Sequence, residues 1–460
     1  MTGYQLIHHG AACGVTGSCH ELRLGADGDF QDSLLVDCGL VQGEEAVSLG
    51  PLPWRRVGAL VLTHAHLDHI GRLPELCQAG WRGPVYCSEA TAALVPLMLA
   101  DGLLQQGRSR GWVAAFLADL QRQLRPLPFG AWHRVALSAQ QAVHLQLQPA
   151  GHILGSASIT VRLAEGQRLV FSGDIGGGNS SLLRPPVSPA AADLLVLEST
   201  YGDRLHPAVA QRHQALRQVV ERSLRDGGAI LIPAFSIGRT QELLSDLEQI
   251  LCEVQATGQQ SQWQELPVVL DSPLGAQVTR LYRQFRRHWR REAQQKLGQG
   301  RHPLDFSQAV TLAEHGAHLE FIARLQATGE PVIVVAGGGM CQGGRIVDYL
   351  RALSPDPRTD VLLCGFQARG TPGALLQVGV ERLWLDGQSV PVAAQIHRLS
   401  GYSAHADQAG LIEFVAGMAS PPKAIRLVHG EPEAQRALAK ALRQAFPGLA
   451  VDCAAQQDCP

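Results

Sequence analysis

Short apolar runs closed by polar or glycine-rich turns dominate the chain from Tyr4 to Tyr201: LLVDCG, ALVLTHAH, VYCSEA, VHLQLQPAGHILG, ITVRL, RLVFSGDIG and DLLVLESTYG. Runs of this length bounded by turn residues predict strands of a β-rich layered sandwich, with chemically competent residues repeatedly at the strands' C-terminal ends. Between them, Ala92 to Leu124 predicts a helix whose Met98, Leu99, Leu103 and Leu104, then Trp112, Val113, Phe116 and Leu117, form a core-facing stripe.

After Gly202 the pattern changes. Long helical segments such as QRHQALRQVVERSLRDGG and RTQELLSDLEQILCEV alternate with buried runs such as AILIPAF, LPVVLD, PVIVVAGGG and DVLLCGF. That alternation predicts βαβ units around a mostly parallel sheet, hence a second α/β domain. Near Val390 the strand-and-histidine style of the first part resumes in VAAQIHRLSGYSAHAD and AIRLVHGEPEA. The expected organisation is a first domain in two pieces, 1–202 and 389–460, interrupted by an inserted domain at 203–388. The Gln-rich TGQQSQWQ reads as a surface loop.

Composition then limits what such a chain does. Of 460 residues, 45% are hydrophobic and 17% charged, the profile of an ordinary globular α/β protein. The formal net charge is -2, so no global excess of positive charge advertises a polyanion partner, and any nucleic-acid site must be a local patch. The 10 cysteines show no CxxC pair and read as reduced, mostly buried thiols. No signal-like N-terminal region stands out, and no stretch approaches the ~20 apolar residues of a membrane span. A cytoplasmic location without membrane association is the resulting expectation.

The chemistry concentrates first in THAHLDH, Thr63 to His69. If a strand ends near Leu62, His64, His66, Asp68 and His69 converge on one pocket at its tip. Imidazole and carboxylate suit Zn²⁺, and four candidate ligands exceed what one catalytic zinc takes from a protein while keeping a water position open, so two metals are implied. Further ligands should then come from other strand ends. His152 in PAGHILGSAS, Asp174 in FSGDIG and His429 in LVHGE each follow an apolar run beside a glycine, and Asp37 in LLVDCG is a candidate to hold a ligand or the nucleophilic water in place.

VTGSCHEL, VDCG, LTHAHLDHIG, AGHILGS, FSGDIG, ESTYG, GRTQELL, GMCQGGRI, GFQARGTPG, SGYSAHAD and HGE, in this order from about Val15 to Glu431, together resemble the metallo-β-lactamase-fold nucleases of the β-CASP family. The resemblance is to bacterial relatives of the endonuclease subunit of the cleavage and polyadenylation specificity factor, and more distantly to RNase J. It implies an αββα sandwich with an inserted β-CASP domain. It also implies two Zn²⁺ per chain, one held by His64, His66 and His152, the other by Asp68, His69 and His429, with Asp174 between them. His405 in SGYSAHAD matches the family's general acid, oriented by Glu198 in LEST.

The implied reaction is hydrolysis of phosphodiester bonds in single-stranded RNA, leaving 5′-phosphate and 3′-hydroxyl ends. DNA-repair members of the family carry an apolar residue where this chain has His429, which favours RNA over DNA. A DNA nuclease of the same fold and a non-nuclease hydrolase are the alternatives, and a non-catalytic RNA-binding scaffold is disfavoured because every metal position holds a competent ligand. The sequence leaves open the endonuclease and 5′ exonuclease balance and the oligomeric state. For RNA contacts, Gly238 and Arg239 begin one helix and Gly337 to Arg345, including Gly338 and Gly339, lead into another, two N-termini suited to phosphate; Ser403 joins them from SGYSAHAD. RLYRQFRRHWRRE, Arg280 to Glu292, reads as a helix burying Leu281, Phe285, His288 and Trp289 and presenting arginines to solvent.

Overall fold

A computed structural model describes residues 2–26, 29–41, 52, 54–256, 261–365, 367–368, 370–399 and 401–454. The chain divides into two compact units, Met1–Leu205 with His405–Pro460, and His206–Ala404.

The first unit is built on two sheets. One has six strands in the order Thr2–Gly10, Cys19–Ala26, Asp29–Val36, Val57–Val61, Val85–Ser88 and Leu124–Leu127. Its first three strands are antiparallel and the rest run parallel. The other has seven, in the order Ala450–Cys453, Ala424–Val428, Leu194–Glu198, Arg168–Phe171, Ala157–Arg162, Ala142–Pro149 and Trp132–Ala136. Alternation along these strands sorts side chains to two faces. Leu22, Leu34, Val36 and Val61 from the first sheet meet Leu145, Ile159, Val161 and Phe171 from the second in a shared core. Each such side chain, fully buried, stabilises the fold by roughly 1.5–3 kcal/mol.

The outer faces are covered by helices, because Val170, Leu195, Leu197 and Leu427 point away from that core. They pack under Gln408–Ala416 and Pro432–Ala445 through Leu411, Phe414, Leu438 and Leu442. On the opposite side Glu89–Gln105 lies against Val85–Ser88 and Leu124–Leu127. The layering is helix, sheet, sheet, helix.

The helix expected over Ala92 to Leu124 is two helices, Glu89–Gln105 and Arg110–Gln123. Gly107 between them takes φ +81, and Ser109 starts the second by accepting from the Trp112 amide at 3.3 Å. Within the first helix, consecutive side chains point in different directions, so Leu103 is buried whereas Leu104 is 42% exposed.

The second unit carries a six-stranded sheet in the order Ala309–Thr311, Val268–Asp271, Val332–Gly337, Ala229–Ala234, Asp360–Leu363 and Gln395–Arg398, every neighbouring pair parallel. A hairpin of Arg382–Leu385 and Gln388–Pro391 stands beside it. Gln395–Arg398 pairs with Asp360–Leu363, so the stretch after Val390 supplies a strand to this sheet, whereas a boundary at 388 assigns it to the first domain.

The arginine-rich run is not one helix. Pro273–Gln284 ends at Phe285, a 3₁₀ turn covers Arg286–His288, and Arg291–Gly298 follows. Phe285 and Trp289 are buried while Leu281 and His288 are half-buried. Arg283 pairs with Asp305 at 2.6 Å and Arg290 with Glu292 at 2.8 Å, which removes two cations from the expected basic surface. Ser261–Glu265, in the segment expected as a loop, is a short helix, and the residues just before it lie outside the described set.

Cys19, Cys38, Cys77, Cys87, Cys341, Cys364 and Cys453 are free and buried, and Cys252 is free and half-buried. Cys13 is disulfide-bonded, against the expectation of reduced thiols throughout. Among the described residues no helix is long and apolar enough to cross a membrane.

Candidate metal centre

Residues that end six strands of the first unit, or follow them within a few positions, meet at one place. Asp37 follows Asp29–Val36, the THAHLDH turn follows Val57–Val61, and His152 follows Ala142–Pro149. Asp174 follows Arg168–Phe171, Glu198 ends Leu194–Glu198, and His429 follows Ala424–Val428. Backbone bonds fix the turn: the amides of Ser18 and Cys38 donate to the carbonyls of Asp68 and His69, each at 2.8 Å. Close approach explains the adjoining glycines. A Cβ on Gly39 would fall 1.6 Å from the Asp68 carbonyl oxygen, and one on Gly173, at φ +54, would fall 2.6 Å from Thr63. Asp37 and His429 themselves adopt φ of 60 and 50, a left-handed conformation rare outside glycine that is characteristic of over-determined functional sites.

Asp174 lies at the middle. Its Oδ2 is 3.5 Å from Nε2 of both His64 and His152, and its Oδ1 is 3.3 Å from His69 Nε2 and 3.6 Å from His429 Nδ1. His66 Nδ1 completes one group at 3.0 Å from His64 Nε2 and 3.1 Å from His152 Nε2. Asp68 completes the other, with Oδ2 3.6 Å from His429 Nε2 and 3.8 Å from His69 Nε2. Within each of the sets His64–His66–His152–Asp174 and Asp68–His69–His429, one ligand atom per residue lies within 4.8 Å of the others. Asp174, His405 and His429 also meet that criterion.

The donor set fits divalent metal ions. Both Asp174 oxygens and Nε2 of His69 and His429 are buried without a hydrogen-bond partner among the described residues. Buried polar atoms left in that state are costly and rare, and cations would satisfy them. Protonation agrees. Burial, reinforced by His69, pushes His64 well below the usual imidazole range, and burial pushes His66 down to about 4, so both are neutral and have a lone pair to offer a metal ion. Burial would raise Asp68, but His69 and His429 hold it at about 2, an anion throughout the physiological range.

Two carboxylates orient this cluster from outside. Asp37, 1% exposed, accepts from His69 Nδ1 at 2.7 Å, the Thr63 amide at 2.8 Å and the Thr63 hydroxyl at 2.8 Å. The first bond places the His69 proton on Nδ1 and leaves Nε2 to face Asp174. Glu198 accepts from the Ile175 amide at 2.7 Å and the Thr200 hydroxyl at 2.6 Å, and both its oxygens lie 3.2 Å from His405 Nδ1. His405 Nε2 then faces the cluster, 3.9 Å from Asp174 Oδ2, on a side chain that is 20% exposed. Burial opposes the His405 charge, but Glu198 and Asp174 outweigh it and raise the group to about 9.

Thr63, Ser172 and Thr200 are supporting residues that motif reading passed over. Ser172 Oγ accepts from the Glu198 amide at 3.0 Å, and Thr200 Oγ1 lies 3.2 Å from His429 Nδ1 while bonding Glu198. Adjacency to the ligands in THAHLDH, FSGD and EST is the signal that could have found them.

The expected phosphate contacts of the second unit form no comparably exposed set. The Gly238 amide donates to Gln241 Oε1 at 2.8 Å, and the Arg239 guanidinium lies 5.0 Å from the Phe235 ring centroid. Gly338, at φ +116, and Gly339 shape the turn after Val332–Gly337; the Gly339 carbonyl accepts from Gln367 at 2.9 Å. Arg345 points inward as an ion pair with Asp271, and it also donates to the carbonyls of Leu312 at 2.9 Å and Ala313 at 2.8 Å. Its guanidinium is therefore committed to the fold. Ser403 is half-buried in the segment before His405, and Phe366 and Arg369 of the GFQARGTPG motif lie outside the described residues.

Comparison with known proteins agrees with this geometry. Residues 27–234 match the family described as the metallo-beta-lactamase superfamily, 240–376 the Beta-Casp domain, and 389–454 the Zn-dependent metallo-hydrolase RNA specificity domain. The chain is 36% identical over 441 residues to Ribonuclease TTHA0252 of Thermus thermophilus, covering 95% of this chain and 96% of that protein. It is 30% identical over 431 residues to Transcription termination factor FttA of Methanocaldococcus jannaschii, covering 90% of this chain and 65% of that longer protein. FttA of Cenarchaeum symbiosum is 29% identical over 437 residues, with 91% and 65% covered.

Proposed function

The chain belongs to the metallo-β-lactamase superfamily, in its β-CASP branch, and from that premise we propose that it is a zinc-dependent ribonuclease using two metal ions per chain. The proposed reaction is hydrolysis of single-stranded RNA to 5′-phosphate and 3′-hydroxyl ends, in RNA processing or decay. The observation that carries the reading is Asp174, whose two buried oxygens face two separate histidine groups and have no hydrogen-bond partner of their own. RNA as substrate is supported by the name of the ribonuclease relative and by the RNA specificity description of the third family model. A cytoplasmic location belongs to the same proposal, supported by the many free thiols.

In this reading His64, His66 and His152 would hold one zinc and Asp68, His69 and His429 the other, with Asp174 offering an oxygen to each group. When bound, the ions supply Lewis-acid stabilisation of charge on the phosphoryl oxygens and a nucleophile at neutral pH. The chain's own residues do the rest. Asp37 keeps the His69 proton on Nδ1. Glu198 keeps a proton on His405 Nδ1, so that Nε2 carries the second proton of the imidazolium toward the scissile bond. His405 gives that proton to the departing 3′-oxygen, which becomes the 3′-hydroxyl, and its partial exposure lets an external polymer reach it. General-acid assistance of this kind contributes about 10²–10⁴-fold.

The test is a time course on one oligomer made as RNA and as DNA, labelled at either end, with and without chelator. Internal cuts in RNA that disappear on chelation are the expected result. Mononucleotide release alone would reassign the activity to an exonuclease, preference for the DNA oligomer would make the chain a DNA nuclease, and chelator-insensitive cleavage would refute the metal reading.

A further inference from the structure

The strands Trp132–Ala136, Ala142–Pro149, Ala157–Arg162 and Arg168–Phe171 lie side by side at one end of the seven-stranded sheet of the first unit. Their registers set Arg134 opposite His144, His144 opposite Arg162, and Arg162 opposite Arg168. Residues directly opposite one another share a face of the sheet. That face is the outer one, because the alternate residues Val135, Leu145, Val161 and Leu169 fill the core between the two sheets. Three arginines and a histidine therefore form one row across four strands, with Arg134 exposed and the others half-buried.

The fold does not neutralise this row. Among the described residues no ion pair engages the side chains of Arg134, Arg162 or Arg168. From Trp132 to Phe171 the chain holds one acidic residue, Glu165, in the exposed turn before Arg168. Asp193, which accepts from the Arg168 amide at 2.7 Å, is paired with Lys423 at 2.6 Å. Arg162 and Arg168 face each other directly, and like charges so placed destabilise a sheet, a cost that an anionic ligand between them would offset. The Arg162 guanidinium also lies 4.5 Å from the Trp132 ring centroid, a flat platform on which a base can stack. A chain of net charge -2 has no general attraction for a polyanion, so its affinity must come from a local concentration of cations.

We propose that Arg134, His144, Arg162 and Arg168 form a docking row for the phosphate backbone of single-stranded RNA, separate from the metal centre on the same unit. The inference rests on the ribonuclease reading above for the choice of RNA as the polyanion. The row crosses the strands at the ends remote from the centre: Arg168 precedes Asp174 by six positions, roughly 20 Å of extended chain. RNA held there is gripped several nucleotides away from the bond being cut, so the row serves long strands and adds nothing for a short one.

The test measures binding of a fluorescent single-stranded oligouridylate with phosphorothioate linkages, which resist hydrolysis, by anisotropy over a range of salt concentrations. Wild type is compared with the double variant Arg134→Gln with Arg168→Gln, with Arg162→Met, which keeps an apolar side chain against Trp132, and with a control. The control is Arg108→Gln with Arg110→Gln, two exposed arginines elsewhere on the same unit that change the net charge equally. Tm is measured for each protein to check the fold. The slope of log affinity against log salt is expected to fall by about 1.4 in the double row variant, with roughly tenfold weaker binding at low salt, and by about 0.7 in Arg162→Met. The control is expected to keep the wild-type slope. Wild-type slopes in both row variants, or an equal fall in the control, would overturn the inference. Because binding is read without cleavage, the ribonuclease reading fails separately: a wild-type protein that binds RNA through the row and cleaves none of it would strike that reading and leave the row standing.

Discussion

Replacing Asp37 by Asn tests whether the buried carboxylate behind the metal centre sets the state of its ligands. Asp37 Oδ1 accepts from the Thr63 amide at 2.8 Å, and Oδ2 accepts from the Thr63 hydroxyl at 2.8 Å and from His69 Nδ1 at 2.7 Å. An amide cannot serve both sides. With its NH₂ toward the Thr63 amide two donors face each other; with its NH₂ toward His69, the imidazole must accept at Nδ1 and carry its proton on Nε2. That nitrogen faces Asp174 at 3.3 Å, so the proton sits where the metal should bind. At 1% exposure no bulk water rescues either arrangement. Loss of an outer partner to a ligating histidine weakens metal binding by about 10–100-fold, which is roughly 1.4–2.7 kcal/mol. Competition with a chromophoric zinc chelator should show this loss chiefly in one zinc equivalent. The His64 group should change less, because Asp37 reaches it only through the Thr63 hydroxyl, 3.1 Å from His64 Nδ1. Wild-type affinity for both equivalents would refute the argument.

Wild-type protein should bind zinc and gain Tm on its addition, and Asp174→Ala should lose both effects, since each candidate ligand group loses the anion it faces; two tightly held equivalents in the variant would contradict this. In the metal-free protein, Glu198→Gln should lower the His405 titration midpoint from about 9 toward the ordinary imidazole range, read by NMR of labelled histidine. Because the folded-state value lies above the unfolded 6.5, the interaction stabilises the fold fully below about 6.5 and is lost as pH rises through about 9; a midpoint unmoved by the substitution would remove Glu198 as its cause. Arg345→Met removes one partner of the fully buried Asp271 carboxylate, which keeps its bonds from His318 and Tyr349 at 2.6 Å each, and should cost about 1–3 kcal/mol in denaturant unfolding, whereas a phosphate-binding role would leave stability intact and weaken RNA binding instead. Arg286 and Arg287 are exposed, so reversing both charges should reduce the slope of log affinity for single-stranded RNA against log salt by about 1.4; an unchanged slope would place that surface away from RNA.

Local patterns alone made legible the layered strands and the residue types that line the centre. Apolar runs ending in His64, His152, Asp174 and His429 are local patterns, and a strand end that carries imidazole or carboxylate beside glycine reports its chemistry without reference to the rest of the chain. Whatever depends on a partner far along the chain or on a single turn's geometry could be read only from the folded chain. Arg345 looked free to meet phosphate until Asp271, on another strand, claimed it. The helix over Ala92 to Leu124 broke at a glycine in the left-handed region, and the arginine run broke into helix, 3₁₀ turn and helix, because helical periodicity survives a short interruption that the backbone does not. Arg212 carried no motif at all; its burial against Asp246 and its bond to the Gly401 carbonyl, both distant in sequence, exist only in the folded chain. Local pattern fixes which groups can react, and long-range packing fixes which of them are free to do so and where they point.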